Sequence, residues 1–157
     1  MSPGAFDKVI NEFGPSVYRT ALIKTGDPDT AQDIYQQVFL LLCEKRPSFK
    51  CREQLKVWLI RSAIKLAAAE RRRAENTKTE PLCASHDRHT SPDPAFELCD
   101  LIGTLPEPLR DVTLLYYIED MSVSDIARAT GLSHSAIKSR LARARKLLKK
   151  IYEEELL

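Results

Sequence analysis

The sequence lacks the segments that would place it in a membrane or send it out of the cell. No apolar run approaches the roughly 20 residues that a transmembrane helix needs. Residues 1–4 lack the basic and apolar segments of a signal peptide. The four cysteines show no Cys-x-x-Cys spacing, and disulfides are rare in the cytosol. We therefore expect a cytoplasmic protein, with no membrane insertion and with reduced cysteines.

The sequence also lacks the motifs of the common enzyme classes. It has only five glycines and no glycine-rich phosphate loop, no His-Glu-x-x-His pattern and no evident pairing of a nucleophile with a base. Of its three histidines, His86 and His89 lie in a polar stretch and His134 lies at a predicted helix start. We expect a protein that is not an enzyme and that needs no cofactor.

Charge of one sign is concentrated in a single stretch of the chain. The formal net charge is only +2, which by itself says little about nucleic acid. From Lys138 to Lys150, however, there are seven lysines and arginines and no acidic residue. Acidic residues gather elsewhere, including residues 153–155. A basic stripe of this kind is typical of a surface that contacts phosphates.

Apolar residues recur at three- and four-residue spacings through most of the chain, which predicts helices, and no stretch shows the sustained alternation of a strand. The pattern predicts a first helix that ends near Gly14-Pro15 and resumes after it. A second helix begins at Asp27-Pro28 and stops before Pro47, and a long third helix ends at residues 71–73. Three amphipathic helices can bury one core, so we expect residues 1–75 to form a small domain.

The composition changes between the two halves of the chain. Residues 76–94 are rich in Thr, Ser, Asp, His and Pro, which predicts a flexible linker. Helical periodicity returns afterwards, with a break at residues 106–108, and residues 95–157 are predicted to form a second small domain. The expected fold class is all-α, with two small helical domains joined by the linker.

The second half carries the pattern of a helix-turn-helix. Ser122 can open a short helix, Gly131 can adopt the left-handed conformation of a sharp turn, and Ser133 can cap the next helix. That next helix has an apolar seam that includes Ile137 and Leu141. The opposite face is predicted to read DNA in the major groove: Ser135, Lys138, Ser139, Ala142, Arg143 and Lys146.

Two interpretations of the basic helix remain open on these residues alone. The first is the recognition helix, with Arg145 and Lys149 contacting phosphates or only solvent. The other is a helical hairpin whose basic face is simply solvated. The coincidence of the turn spacing with the basic face favours DNA binding.

The same stretch resembles region four of the extracytoplasmic-function (ECF) group of bacterial sigma factors. The residues that carry the resemblance are Leu105-Pro106-Glu107, Arg110, Leu114, Tyr117, Met121-Ser122, Asp125-Ile126-Ala127, Gly131-Leu132-Ser133, Ile137 to Leu141 and Arg143-Ala144-Arg145. In that family this domain reads the minus-thirty-five promoter element. Response-regulator output domains have a similar helix-turn-helix, so this half alone does not define the family.

The first half resembles region two of the same family. Ala31, Asp33-Ile34, Gln36 and Phe39 are similar to its Asp–Leu–x–Gln–x–x–Phe pattern, which docks on a coiled coil of the largest polymerase subunit. The resemblance implies that Asp33, Gln36 and Gln37 bind polymerase. Gln37 stands where the family usually has Glu.

The third predicted helix and the loop before it resemble the promoter-melting segment of region two. The matching residues are Arg46 to Lys50, Trp58-Leu59, Arg61, Ala63 and Arg72-Arg73. The resemblance implies minus-ten contacts by Phe49, Lys50, Arg61, Lys65 and Arg72. Phe49 can cover a base or can be a core aromatic. Lys65 and Ala69 stand where the family commonly has Asn and Asp, and Ile64 is apolar where a polar residue is frequent.

Together the two resemblances imply an alternative sigma factor that binds core RNA polymerase and promoter DNA, in a family where an anti-sigma factor is common. One alternative is a helix-turn-helix regulator that acts without polymerase. Another is a metal-sensing or redox-sensing sigma-like protein, because Cys83, His86, His89 and Cys99 offer zinc ligand types. Their spacing matches no standard zinc module, so no metal site is assigned.

Overall fold

The computed structural model describes residues 2–76 and 94–155, and among these every regular element is helical. The expected all-α fold class is confirmed. The chain divides into two compact units, Met1–Ala84 and Ser85–Leu157, and each is described by itself. Across the described residues, no helix is both long and apolar enough to span a membrane. The predicted linker lies almost entirely outside the described residues.

The first unit packs three helices around one core. They are α1 (Pro3–Thr25), α2 (Pro28–Lys45) and α3 (Arg52–Asn76). Each helix contributes fully buried aliphatic side chains to this core, among them Val17 from α1, Val38 from α2 and Leu59 from α3, all 0% exposed. Burying such side chains is the main stabilising term for a unit of this size.

The expectation that the first helix ends near Gly14-Pro15 was wrong, because α1 continues through both residues to Thr25. Proline removes one backbone N–H from the helix, but its neighbours hold the segment in place. Phe13 and Val17 are both buried in the core, on either side of the proline. Gly14 is itself buried, and a Cβ there would lie 3.0 Å from the Tyr35 hydroxyl. Tertiary packing therefore overrides the local helix-breaking signal.

The second unit contains the remaining helices. They are α4 (Pro94–Gly103), α5 (Glu107–Thr113), a π-helical segment (Leu114–Ile118), α6 (Val123–Thr130) and α7 (His134–Glu155). The predicted caps of the helix-turn-helix are confirmed. The Ser122 Oγ accepts a hydrogen bond from a backbone N–H one turn into α6, and the Ser133 Oγ does the same in α7, each at 3.1 Å. Gly131 ends α6 with a φ of 79°, which favours glycine.

The π-helical segment places two leucines inward and two tyrosines outward. The Glu119 N–H donates to the Leu114 carbonyl five residues earlier, at 3.1 Å. Leu114 and Leu115 are at most 1% exposed. Tyr116 and Tyr117 follow on the surface side with their ring centroids 5.0 Å apart. This wider turn brings two adjacent aromatic rings to one place on the second unit.

Candidate functional surfaces

The α7 helix has the two faces that the sequence predicts. On the inner side, Ile137, Leu141 and Ala144 are at most 2% exposed. On the outer side, all six predicted base-reading residues are exposed: Ser135, Lys138, Ser139, Ala142, Arg143 and Lys146. We call these six residues the recognition face.

A hydrogen bond attaches the helix of the recognition face to the second unit, and the lack of acidic residues gives that helix its positive charge. The guanidinium of Arg140 donates to the Pro108 carbonyl at 3.1 Å, which ties α7 to the start of α5. Along α7 no acidic residue occurs before Glu153. The basic side chains therefore repel one another, and a polyanion laid along them would relieve this repulsion.

Arg145 makes contacts that the sequence pattern did not reveal. Its Nε donates a hydrogen bond to the Tyr117 hydroxyl at 2.5 Å. Its guanidinium carbon also lies 5.9 Å from the Tyr116 ring centroid and 5.8 Å from that of Tyr117. The hydrogen bond that Arg145 donates to the Tyr117 hydroxyl raises the pKa of Arg145. Arg145 and the tyrosines are 28 or more residues apart, so no local periodicity could have paired them.

On α2, Asp33, Gln36 and Gln37 are all exposed. They share an outer face because the residues between and beside them, Ile34 and Val38, are 2% and 0% exposed and hold the helix on the core. We call Asp33, Gln36 and Gln37 the α2 polar face.

The start of α2 is fixed by a side-chain cap. Asp27 accepts hydrogen bonds from the backbone N–H groups of Asp29 and Thr30, and from the Thr30 hydroxyl at 2.6 Å. The Thr30 hydroxyl contributes most to lowering the pKa of the Asp27 carboxyl. The charged carboxylate therefore fixes where α2 begins.

Leu40 is a residue of this surface that the sequence interpretation missed. It lies three and four residues after Gln37 and Gln36, so it shares their side of the helix, and it is 58% exposed. The sequence did contain a signal for this exposure, because the helical period places Leu40 on the polar side of α2. Exposed apolar residues beside polar ones are common at protein–protein interfaces.

The predicted minus-ten residues fall on α3 and on the loop before it. Arg61, Lys65 and Arg72 are exposed and lie on one side of α3 by helical spacing. Trp58 lies three residues before Arg61 and seven before Lys65, so it begins the same side. These residues form a basic track with an aromatic residue at its first turn.

Phe49 and Lys50 lie in the loop before α3. Phe49 is half-buried, with its ring centroid 6.1 Å from that of Trp58. The position of Phe49 lies between that of a core aromatic and that of an aromatic free to cover a base, because one part of the ring packs on the unit and another part stays accessible. Lys50 is exposed, and its backbone N–H donates to the Gln54 Oε1 at 2.9 Å, which helps to cap α3.

Of the four residues of the alternative metal-binding set, only one lies in the part of the chain that the structure describes. Cys83, His86 and His89 lie outside the described residues, and Cys99 is half-buried on α4. Among the residues that the structure does describe, no group of three or more histidine, cysteine or acidic side chains could hold a metal ion.

The capped helix-turn-helix with its exposed basic helix defines a DNA-binding protein of the helix-turn-helix class. Comparison with protein families makes the assignment specific. Residues 9–77 match the family model of sigma-70 region 2, and residues 96–148 match that of sigma-70 region 4. The chain belongs to the sigma-70 family, and its relatives place it in the ECF group.

Curated relatives align with nearly the whole chain. It is 25% identical to the ECF RNA polymerase sigma factor BldN of Streptomyces coelicolor, over 96% of this chain and 61% of BldN. It is also 25% identical to the ECF RNA polymerase sigma factor SigM of Bacillus subtilis, over 93% of this chain and 94% of SigM. The chain thus spans less than two thirds of the first relative and nearly all of the second.

A solved structure shares the fold. The sigma factor RpoE of Bartonella quintana, solved in complex with the anti-sigma factor NepR, has a TM-score of 0.74 and is 21% identical. The match covers 95% of this chain and 97% of that one. At this identity the likeness concerns the fold.

Proposed function

We propose that this protein is an alternative sigma factor that binds core RNA polymerase and directs it to promoters. One observation carries the proposal: the chain combines an outward basic recognition helix on one unit with an outward polar face on α2 of the other. A DNA-binding regulator that acts alone needs only the first surface. The proposed activity is that of a binding factor in the cytoplasm, not that of an enzyme.

The proposed duties divide between the two halves of the chain. Residues 1–75 would bind polymerase through the α2 polar face and the minus-ten element through Phe49, Lys50 and the basic track on α3. Residues 95–157 would bind the minus-thirty-five element through the recognition face, and residues 76–94 would link the two. An anti-sigma factor is a further proposed partner, since the similar RpoE was solved with one.

The free chain should bind DNA weakly and in a salt-sensitive way, and it should open promoter DNA only together with core polymerase. The physical reason is that the two proposed DNA-binding halves are joined by a polar segment, so polymerase is needed as the frame that sets their separation. The measurement is a pull-down with core polymerase, followed by the reactivity of unpaired thymines in promoter duplex with and without polymerase.

Two outcomes would contradict this proposal. Sequence-specific opening of duplex DNA by the chain alone would show that no frame is needed. Tight promoter binding without any association with polymerase would instead support the alternative, a helix-turn-helix regulator that acts independently.

Replacing Arg143 with alanine should weaken binding at the matched minus-thirty-five site by about 1–3 kcal/mol if its guanidinium reads a base. Binding to scrambled DNA should change much less, so the ratio of the two affinities should fall. The exposed Lys150, on the same helix, provides a control, because Lys150→Ala should leave that ratio unchanged. Equal losses on both DNAs for Arg143→Ala would identify a phosphate contact instead.

A further inference from the structure

The structure points to a phosphate-binding pair beside the recognition face. We propose that the Tyr117 hydroxyl and the Arg145 guanidinium together bind one backbone phosphate of the DNA on which α7 lies. The inference rests on the proposed function and adds a contact from the π-helical segment, outside α7 itself.

The pair is already ordered in the free protein. The Arg145 Nε donates to the Tyr117 hydroxyl at 2.5 Å, and the guanidinium lies within 6 Å of both tyrosine ring centroids. Contacts of a guanidinium with aromatic faces are attractive. An exposed arginine normally loses considerable rotamer freedom when it binds a ligand. Here part of that entropy is lost on folding, so binding a phosphate costs less.

The pair retains enough donors to hold a phosphate. The bond to Tyr117 uses only Nε–H of the five guanidinium donors, which leaves the four N–H groups of the terminal nitrogens. The Tyr117 hydroxyl accepts from Arg145 and still carries its own hydrogen to donate. Parallel donors of a guanidinium fit two oxygens of one phosphate, and the hydroxyl adds a neutral donor beside them.

The position of the pair suits backbone contact more than base contact. Arg145 lies seven residues after Lys138 and three after Ala142, so helical spacing puts it at the margin of the recognition face, next to the buried seam. Tyr117 belongs to the π-helical segment and not to α7, and it is 44% exposed. In a major-groove complex, contacts from outside the recognition helix generally reach phosphates, which position the protein on the duplex.

The experiment is titration of the full chain with a mixed-sequence duplex of about 20 base pairs at several salt concentrations, since a phosphate contact needs no particular sequence. We expect Arg145→Gln to weaken binding by about fivefold to tenfold and to reduce the salt slope by about one. Tyr117→Phe, which keeps the ring but removes the hydroxyl, should weaken binding by about threefold with little change in slope. The double variant should bind within about twofold of Arg145→Gln, because the two groups act on one phosphate.

Two further variants distinguish a paired phosphate site from a nonspecific effect of charge and from a purely structural role of the Tyr117 hydroxyl. Arg145→Lys keeps the charge and should keep the salt slope while losing affinity, because an ammonium lacks the planar pair of donors. Tyr152→Phe removes the hydroxyl of a tyrosine on α7 that is 62% exposed and should change nothing. A purely structural brace would lower the melting temperature of Tyr117→Phe and leave the DNA affinity of the folded protein unchanged.

The outcomes distinguish the two proposals. If the wild-type chain binds the duplex and Tyr117→Phe binds equally well, or if the two single losses multiply in the double variant, the paired site is wrong and the proposed function stands. A wild-type chain that binds neither duplex DNA nor polymerase would overturn both.

Discussion

Replacing Asp33 and Gln36 together with alanine should abolish binding of the chain to core RNA polymerase and leave its helical content unchanged. Both side chains are exposed, while the core under α2 is made by buried residues such as Ile34 and Val38. Removing polar groups at the centre of an interface costs the contacts and leaves their partners unpaired. Pull-down with core polymerase and far-ultraviolet circular dichroism are the two measurements.

The chain offers a matched control for this double variant. Asp7 and Asn11 are an exposed carboxylate and amide on α1, so Asp7→Ala with Asn11→Ala removes the same chemical groups from a different face. This control should bind polymerase as the wild type does. Full affinity in the Asp33 and Gln36 variant would mean that α2 is not the docking helix and that the proposed duty of region two is wrong.

Replacing Leu42 with alanine should lower the free energy of unfolding of the first unit by about 2–5 kcal/mol. Leu42 is 2% exposed in the core of that unit, so truncation removes apolar burial and leaves a cavity. Small domains have free energies of unfolding of only about 5–15 kcal/mol, so this variant loses a large part of its stability. Urea denaturation followed by tryptophan fluorescence reports the first unit alone, because Trp58 is the only tryptophan of the chain.

Ile137→Ala is the corresponding cavity variant in the second unit, where Ile137 is 0% exposed. It should leave the tryptophan transition where it is and reduce the DNA affinity of the chain instead. A shift of the tryptophan transition by Ile137→Ala as large as that by Leu42→Ala would show that the two units unfold together. That result would contradict the proposed division of the chain at residues 76–94.

The parts of the structure that could be predicted from the sequence are those with local causes. Ser122, Gly131 and Ser133 act on backbone groups within three or four residues of themselves, so the turn between α6 and α7 could be predicted without knowing the rest of the fold. The inner and outer faces of α7 follow from helical period in the same way. Each of these features lies where it was expected.

The parts that could not be predicted depend on residues far apart in the sequence. The helix-breaking signal of Gly14-Pro15 is overridden by packing against Tyr35 and the core, which no local pattern contains. The contact between Arg145 and Tyr117 depends on how α7 packs against the preceding helices. Leu40 was missed for another reason: its apolar side chain favours assignment to a core, although the helical period places it on the side of Gln36 and Gln37.

The π-helical segment also makes the second unit sensitive to insertions and deletions at this place. Such segments commonly occur as single wide turns within α-helices, and this one contains one more residue in its hydrogen-bonded loop than an α-turn would. Loss of a single residue between Leu114 and Ile118 would restore an ordinary α-turn and leave the residues on either side close to their present orientation. The side chains within the turn would be redistributed, however, and Tyr117 would lose its place beside Arg145. In descendants of this sequence, the length of this segment should therefore be preserved more strictly than the identity of its leucines.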